Sequence, residues 1–204
     1  MDSIKRYLYE IQKVLDILPY QRISDVIDVL LAANHMGSMI FVMGNGGSAA
    51  TASHFACDLS KGTVIPGRPR FRVIALTDNV PIMTAWSDDV SYDDLFAEQL
   101  RGLISRGDVV IGISDSGNST NVLKAIQVAR DMGGITIGLS GFSGGQLSTL
   151  VDIPLIVPSN CMEQIGDVHM VLCHLICTAL REQLKEIEPP LTLIFNPLVQ
   201  QRSY

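Results

Sequence analysis

Five short apolar runs rich in Val and Ile alternate with segments of helical periodicity, and this alternation restricts the fold more than any other feature of the chain. The runs predict strands at 39–44, 70–76, 108–114, 135–140 and 152–159. The helical segments are predicted at 48–60, 91–104, 118–132 and 163–185. Strands that are apolar on both faces are typical of a parallel sheet covered by helices on both sides. The sequence therefore predicts an α/β fold, a doubly wound parallel sheet.

Both ends of the chain add segments to this core. Apolar spacing predicts helices at 2–17 and at 25–33, the second with Ser24 as its N-cap, which together form an N-terminal helical arm over about 1–36. The tail over about 187–204 is apolar and interrupted by prolines, so we expect it to pack on the body or on a neighbouring subunit. With no linker between them, these parts predict a single domain over 1–204.

Composition excludes several classes of partner. The 204 residues are 47% hydrophobic and 18% charged, which is enough for an ordinary core. Basic residues number 15 against 21 acidic ones, a net charge of −6 that argues against nucleic-acid and anionic-membrane binding.

The cellular compartment is predicted from targeting, membrane and cysteine motifs that the sequence lacks. No apolar run reaches the ~18 residues of a membrane helix, and the amphipathic N-terminus does not resemble a signal peptide. The 4 cysteines show no CxxC spacing and are expected to be free thiols. Together these features predict a cytoplasmic protein.

A glycine-rich loop, GNGGSA at 44–49, joins the first strand to the next helix. Glycines permit close backbone approach, and a helix N-terminus favours an anion. Ser48 adds a hydroxyl donor. Taken alone, the loop is a weak signal, and the alternative is a tight turn that binds nothing.

A second polar loop, SDSGNST at 114–120, follows the third strand and again opens a helix. It offers the hydroxyls of Ser114, Ser116, Ser119 and Thr120, of which helix capping explains one or two. Because both loops follow strands of one parallel sheet, they lie at the edge where such sheets bind ligands. Two loops of neutral donors at one edge predict a phosphate site.

Three segments carry a resemblance to a known family: GNGGSAATASHFACDL at 44–59, GISDSGNSTNVLKAI at 112–126 and IGDVHMVLCHLI at 165–176. The chain resembles the sugar isomerase (SIS) domain family and, within it, the phosphoheptose isomerases. The resemblance implies a three-layer sandwich with a five-stranded parallel sheet, and a homotetramer with active sites shared between subunits. It also implies an aldose–ketose isomerase that converts sedoheptulose 7-phosphate to D-glycero-D-manno-heptose 7-phosphate through an enediol.

The loops and the resemblance together give the expected substrate contacts. These are Asn45, Gly46, Gly47, Ser48, Asp88, Asp89, Ser114, Asp115, Ser116 and Ser119. Asp115 stands where the family commonly has Thr. A carboxylate beside a phosphate is repelled unless it points away or binds another group, so this departure requires an explanation.

The resemblance also implies a Zn²⁺ site with an incomplete ligand set. The family's ligands correspond to His54, Asp58, Gly166 and His174, where the family has Glu at position 58 and Gln at position 166. Asp is one methylene shorter than Glu, and glycine has no side chain to ligate. His54, Asp58 and His174 remain as the metal candidates, with Gln164 or Glu163 as substitutes for the missing ligand.

For proton transfer the candidates are His174, which the resemblance makes base and metal ligand, with Asp58 or Glu163. His54 and Asp58 are four residues apart and share a helix face. Helical arithmetic places Glu163 and His174 on one face, whereas His169 lies about 140° from His174 and is expected to be structural.

The alternative function is a non-catalytic one. Some members of the family are tetrameric adaptors that bind the bacterial replication initiator, and they lose the histidine at the position of His174. Retention of His174 and His54 favours the enzyme, whereas Gly166 and Asp58 favour an adaptor or a changed substrate. A phosphosugar-sensing regulator lacks support, since no DNA-binding segment is present.

Overall fold

The computed structural model describes residues 2–186, so the tail predicted over 187–204 lies outside the described residues. Its five strands form one fully parallel sheet, in the order β2-β1-β3-β4-β5. The strands are β1 (Met39–Gly44), β2 (Arg72–Ala75), β3 (Val109–Ile113), β4 (Ile135–Ser140) and β5 (Ile153–Ile156). All five predicted strands are confirmed, as is the doubly wound α/β class.

Helices cover both faces of the sheet. They are α1 (Ser3–Asp16), α2 (Tyr20–Met36), α3 (Gly47–Cys57), α4 (Val80–Asp89), α5 (Leu95–Arg101), α6 (Thr120–Asp131), α7 (Leu147–Leu150) and α8 (Met162–Glu186). A π-helical turn, Asp58–Gly62, continues directly from α3. Within residues 2–186, no helix has the length and apolar character needed to cross a membrane.

The sheet separates two hydrophobic cores. Along β3, Val109, Ile111 and Ile113 point into a core shared with α2, α3 and α8, whereas Val110 points into a core shared with α5, α6 and α7. This alternation follows from the two-residue period of a strand that is covered on both faces. Because α2 contributes its buried face to the first core, the N-terminal helices are packed against the body rather than extended from it.

Two sequence expectations were wrong in detail. Helix α2 begins at Tyr20, directly after Pro19, and Ser24 lies inside the helix rather than at its cap. The proline ring fixes φ and suits a helix start, which outweighs the capping preference of serine.

The segment predicted to be one helix at 91–104 is helical only from Leu95, and α4 was missed. No side chain of α4 is fully buried, and Met83 and Trp86 are only partly buried against the core, so the sequence signal of α4 is weaker than that of a fully packed helix. Asp88 and Asp89 therefore end a helix instead of lying in a loop.

The strand order places the two polar loops side by side. β1 and β3 are neighbours, with Gly44 opposite Ile113, so the segments that follow them leave from the same edge. Helix α3 then crosses to one face of the sheet and α6 to the other. In an open parallel sheet this divergence opens a crevice at the carboxyl ends of the strands.

Candidate functional site

The first loop is built so that its amides face outward. A Cβ on Gly44 would lie 2.7 Å from the carbonyl oxygen of Ser48, so only glycine fits there. Gly46 has φ +54°, in the left-handed region. Among residues 2–186, the N–H groups of Gly46, Gly47 and Ser48 have no hydrogen-bond acceptor. Three unused donors at a helix N-terminus form a site for an anion.

The second loop presents hydroxyls together with amides. The Oγ atoms of Ser114 and Ser119 lie 2.9 Å apart, and Ser116 Oγ accepts the Asn118 amide at 3.2 Å. The amides of Asp115 and Ser116 donate to no atom of the described part of the chain. Both predicted loops therefore carry free donors at the same crevice.

Gly117 holds the second loop against the loop that follows β4. It has φ +67°, and a Cβ there would overlap the carbonyl oxygen of Gly144. Its own carbonyl accepts the Leu147 amide at 2.9 Å. Neither the conformation nor the close approach is available to another residue.

The carboxylate of Asp115 binds other groups. Its Oδ1 accepts a hydrogen bond from Ser48 Oγ at 3.3 Å and lies 3.3 Å from Nδ1 of His169. His169 and, less strongly, Ser48 hold the pKa of Asp115 below its usual value, although partial burial opposes them. Asp115 is therefore an ionised group that joins the two loops and α8.

The sequence did not predict Tyr92 and Asn121, which both contribute to the crevice. Asn45 and Asn121 exchange amide hydrogen bonds of 2.8 Å, and Tyr92 Oη donates to Asn45 Oδ1 at 2.9 Å. Tyr92 and Asp88 also line a cleft of about 700 Å³ beside α4. No sequence pattern pointed to Tyr92, which is an exposed residue between two helices. For Asn121, the only sequence signal for a place in the site was its position at the start of α6.

The segment that carries Tyr92 is anchored at Asp94. Ser91 Oγ donates to Asp94 at 2.6 Å, and Lys124 Nζ of α6 lies 2.9 Å from the same carboxylate. These two contacts, that of Ser91 first, lower the pKa of Asp94. The anchor ties the end of α4, with Asp88 and Asp89, to the helix that follows the second loop.

A second cluster forms where α3, its π-helical turn and α8 meet. His54 Nε2 and His174 Nε2 lie 2.9 Å apart, and Asp58 Oδ2 lies 3.3 Å from the first and 3.6 Å from the second. In a tetrahedral zinc site with bonds of 2.0–2.2 Å, ligand atoms stand about 3.3 Å apart. The three side chains thus have the identity and spacing of ligands to a single ion.

The cluster is open to ligands. The side chains of His54 and His174 are 47% and 54% exposed. Beside them lies a pocket of about 220 Å³, lined by Asp58, Gly62, His174, Cys177, Thr178 and Arg181. Thr178 and Arg181 were missed, although their spacing of four and seven residues from His174 places them on the same helix face.

The substitutes for the missing fourth ligand lie elsewhere in the chain. Glu163 accepts from Cys161 Sγ at 3.2 Å, and eleven residues of helical rise put it about 16 Å from His174 along the axis. Buried Gln164 bonds to Ser159 and Glu10. Within one chain, Glu163 and His174 share a helix face but are not brought together.

The cysteines are free thiols, as expected. Cys173 and Cys177 lie on the buried face of α8, and burial raises the pKa of Cys177 to about 12. A thiol protonated this strongly packs as an apolar group.

Comparison with known proteins agrees with this geometry. The chain matches the family model described as SIS domain over residues 5–141. A phosphoheptose isomerase of Aliarcobacter butzleri is 47% identical over 148 residues, 72% of this chain and 78% of that protein. A phosphoheptose isomerase of Helicobacter hepaticus is 41% identical over 180 residues, 88% and 90% of the two chains. The solved structure of a phosphoheptose isomerase from Francisella tularensis superposes with a TM-score of 0.82 at 30% identity, covering 89% of this chain and 97% of that one.

The packing of the second loop predicts a difference between two glycine substitutions. Gly107 has φ +86° with no atom within 4 Å of an added Cβ, so Gly107→Ala adds only backbone strain of about 1–2 kcal/mol. Gly117→Ala adds the collision with Gly144 as well, about 1–3 kcal/mol more. Urea unfolding of both variants measures the difference, and equal losses would contradict the proposed docking of the loop.

Proposed function

This chain belongs to the SIS domain family, and we propose that it is a phosphoheptose isomerase that converts sedoheptulose 7-phosphate to D-glycero-D-manno-heptose 7-phosphate through an enediol. The observation that carries the proposal is that His54, Asp58 and His174 lie within ligand distance of one another. In the same chain, the crevice after β1 and β3 presents two loops of free hydrogen-bond donors. Two relatives named phosphoheptose isomerase are 41% and 47% identical to this chain, and the matched regions cover most of their own length.

Phosphate binding orients the sugar. We assign the phosphate to the amides of the two loops and to the hydroxyls of Ser114, Ser116 and Ser119. Asn45, Asp88 and Asp89 are the proposed contacts for sugar hydroxyls. Binding energy at the phosphate, remote from the reacting carbons, holds C1 and C2 in place for proton transfer.

Proton transfer is assigned to the cluster on α3 and α8. Isomerisation moves a proton between C1 and C2 and a second proton between the two oxygens, so one base and one acid suffice. Since the Nε2 atoms of His54 and His174 lie 2.9 Å apart, one of them donates and the other accepts. We propose His174 as the principal base, Asp58 as its acid–base partner and His54 as their support.

The same three residues fit a Zn²⁺ ion. His54, Asp58 and His174 supply two nitrogens and one oxygen, and three protein ligands leave a position for substrate, as in catalytic zinc sites. A bound Zn²⁺ would supply Lewis-acid polarisation of the sugar carbonyl. Position 166 is eight residues from His174, about 12 Å along the axis of α8, so within one chain it does not line this site.

A homotetramer with shared sites is proposed as the working form, with 1–204 as one SIS domain. Helix α1 exposes Ile4 and Leu8, at 66% and 62%, which a neighbouring subunit would cover. Within one chain Glu163 lies about 16 Å from His174 along α8, so only the Glu163 of another subunit could join the cluster. A cytoplasmic location is proposed from the free thiols.

Loss of single hydroxyls should weaken substrate binding. Ser116→Ala and Ser119→Ala should each raise KM for the sugar phosphate roughly 10–100-fold, because a hydrogen bond to a charged group is worth ~1.5–3 kcal/mol. Steady-state kinetics measures the effect. The control is Ser105→Ala, at the opposite end of β3, which should leave KM unchanged. Unaltered affinity in both test variants would remove the second loop from the site.

Replacing His174 should separate turnover from binding. His174→Asn should lower the rate by ~10²–10⁴ while phosphate-induced thermal stabilisation remains, because both loops are intact. An NMR assay with sedoheptulose 7-phosphate, with Zn²⁺ and with EDTA, measures it. The exposed His35 of α2 supplies the control His35→Asn. Wild-type protein that exchanges no C1 or C2 proton under either condition would favour the adaptor function instead.

The oligomeric state can be measured directly. Sedimentation at micromolar concentration should give four times the chain mass of 22.2 kDa. Ile4→Asp combined with Leu8→Asp should lower that mass, because charges would replace the proposed apolar contact. A stable monomer in the wild-type protein would contradict shared active sites.

A further inference from the structure

An acidic side chain stands in the middle of the loop assigned to the phosphate. Asp115 lies between Ser114 and Ser116, and its carboxylate is ionised. A phosphate dianion beside an isolated carboxylate would be repelled, since like charges at short range in a partly buried site are only weakly screened. The loop therefore needs a positive charge that faces Asp115.

His169 of α8 is the side chain in that position. It is 1% exposed, and its Nδ1 lies 3.3 Å from Asp115 Oδ1. Its Nε2 lies 3.2 Å from the carbonyl oxygen of Ser140 at the end of β4. Both ring nitrogens thus face oxygen atoms.

The chemistry of these oxygens determines the protonation of the ring. A carbonyl oxygen only accepts, so Nε2 carries a hydrogen. Among the described residues, Nδ1 has no aligned hydrogen-bond partner, and its near neighbour is the carboxylate. An unprotonated Nδ1 would set a lone pair against a negative charge, whereas a protonated Nδ1 is attracted to it. The favourable state is an imidazolium beside a carboxylate.

We propose that His169 is held as an imidazolium that neutralises Asp115, so that the phosphate-binding loop can accept a dianion despite its acidic residue. Both side chains are positioning residues: neither belongs to the proton-transfer cluster, and the pair links the loop to α8. The inference rests on the proposed function in taking a sugar phosphate as the ligand. It also explains how this chain accommodates Asp where the family that it resembles commonly has Thr.

A double-mutant cycle tests the pair. His169→Asn should raise KM for the sugar phosphate, and Kd for inorganic phosphate, about 10–100-fold with kcat changed less than threefold, because Asp115 is then uncompensated. Asp115→Asn alone should lower rather than raise both constants, because it removes the negative charge that repels the phosphate. The double variant should recover nearly all of the loss, because no charge is left to compensate. His35→Asn is the control for removal of an exposed histidine.

A purely structural role for His169 predicts a different result. The double variant would then bind phosphate as weakly as His169→Asn or more weakly, and that outcome would overturn the proposal. Circular dichroism and urea unfolding establish that each variant is folded. His169→Gln replaces His169→Asn if the latter does not fold.

An NMR measurement on the wild-type protein needs no substitution. The ¹⁵N shifts of the His169 ring at pH 7 should be those of a doubly protonated imidazolium, and a neutral tautomer would overturn the proposal. Wild-type protein that binds phosphate but does not convert sedoheptulose 7-phosphate would contradict the proposed function and not the inference about His169. The phosphate cycle and the ring shifts would still decide the role of His169.

Discussion

The pairing of β1 with β3 is the constraint on which the site depends. Because the strands are parallel and in register, Gly44 opposite Ile113, both polar loops begin at the same edge. The chain leaves β1 for one face of the sheet and β3 for the other, which opens the crevice between them. Gly44 permits the tight turn after β1, and Gly117 permits the docking of the second loop. A change in strand order would separate the loops without altering either sequence.

The cluster of His54, Asp58 and His174 depends on a different contact, the packing of α3 against α8. His54 and Asp58 share a face by spacing alone, but His174 is 120 residues further along the chain. The two helices are in contact, and both bury side chains in the core on one face of the sheet, Phe55 from α3 and Leu172 from α8. That apolar packing brings two exposed imidazoles and a carboxylate within ligand distance of one another. Although Asp58 is shorter than Glu, its Oδ2 lies 3.3 Å from His54 and 3.6 Å from His174, so the three side chains stay together.

Electrostatics explains how an acidic chain can hold an anion. The chain carries a net charge of −6, and the proposed phosphate contacts are amides and hydroxyls rather than cations. Such donors bind through direction and desolvation, so they favour a fitted phosphate over polyanions in general. The proposed pairing of half-buried Asp115 with buried His169 agrees with this pattern, since an imidazolium would cancel the charge of the carboxylate within the protein.

The sequence alone determined the sheet, the two loops and the shared face of His54 and Asp58, because each depends on local periodicity or on spacing within one element. It missed α4, whose side chains are at most partly buried, and it misplaced the start of α2, where a proline outweighed a capping serine. Only the tertiary structure joined His174 to His54, turned Asp115 toward His169, and brought Tyr92 and Asn121 to Asn45. These contacts join residues from about 50 to 120 positions apart, and their formation depends on how the helices pack across the sheet, which no local pattern encodes.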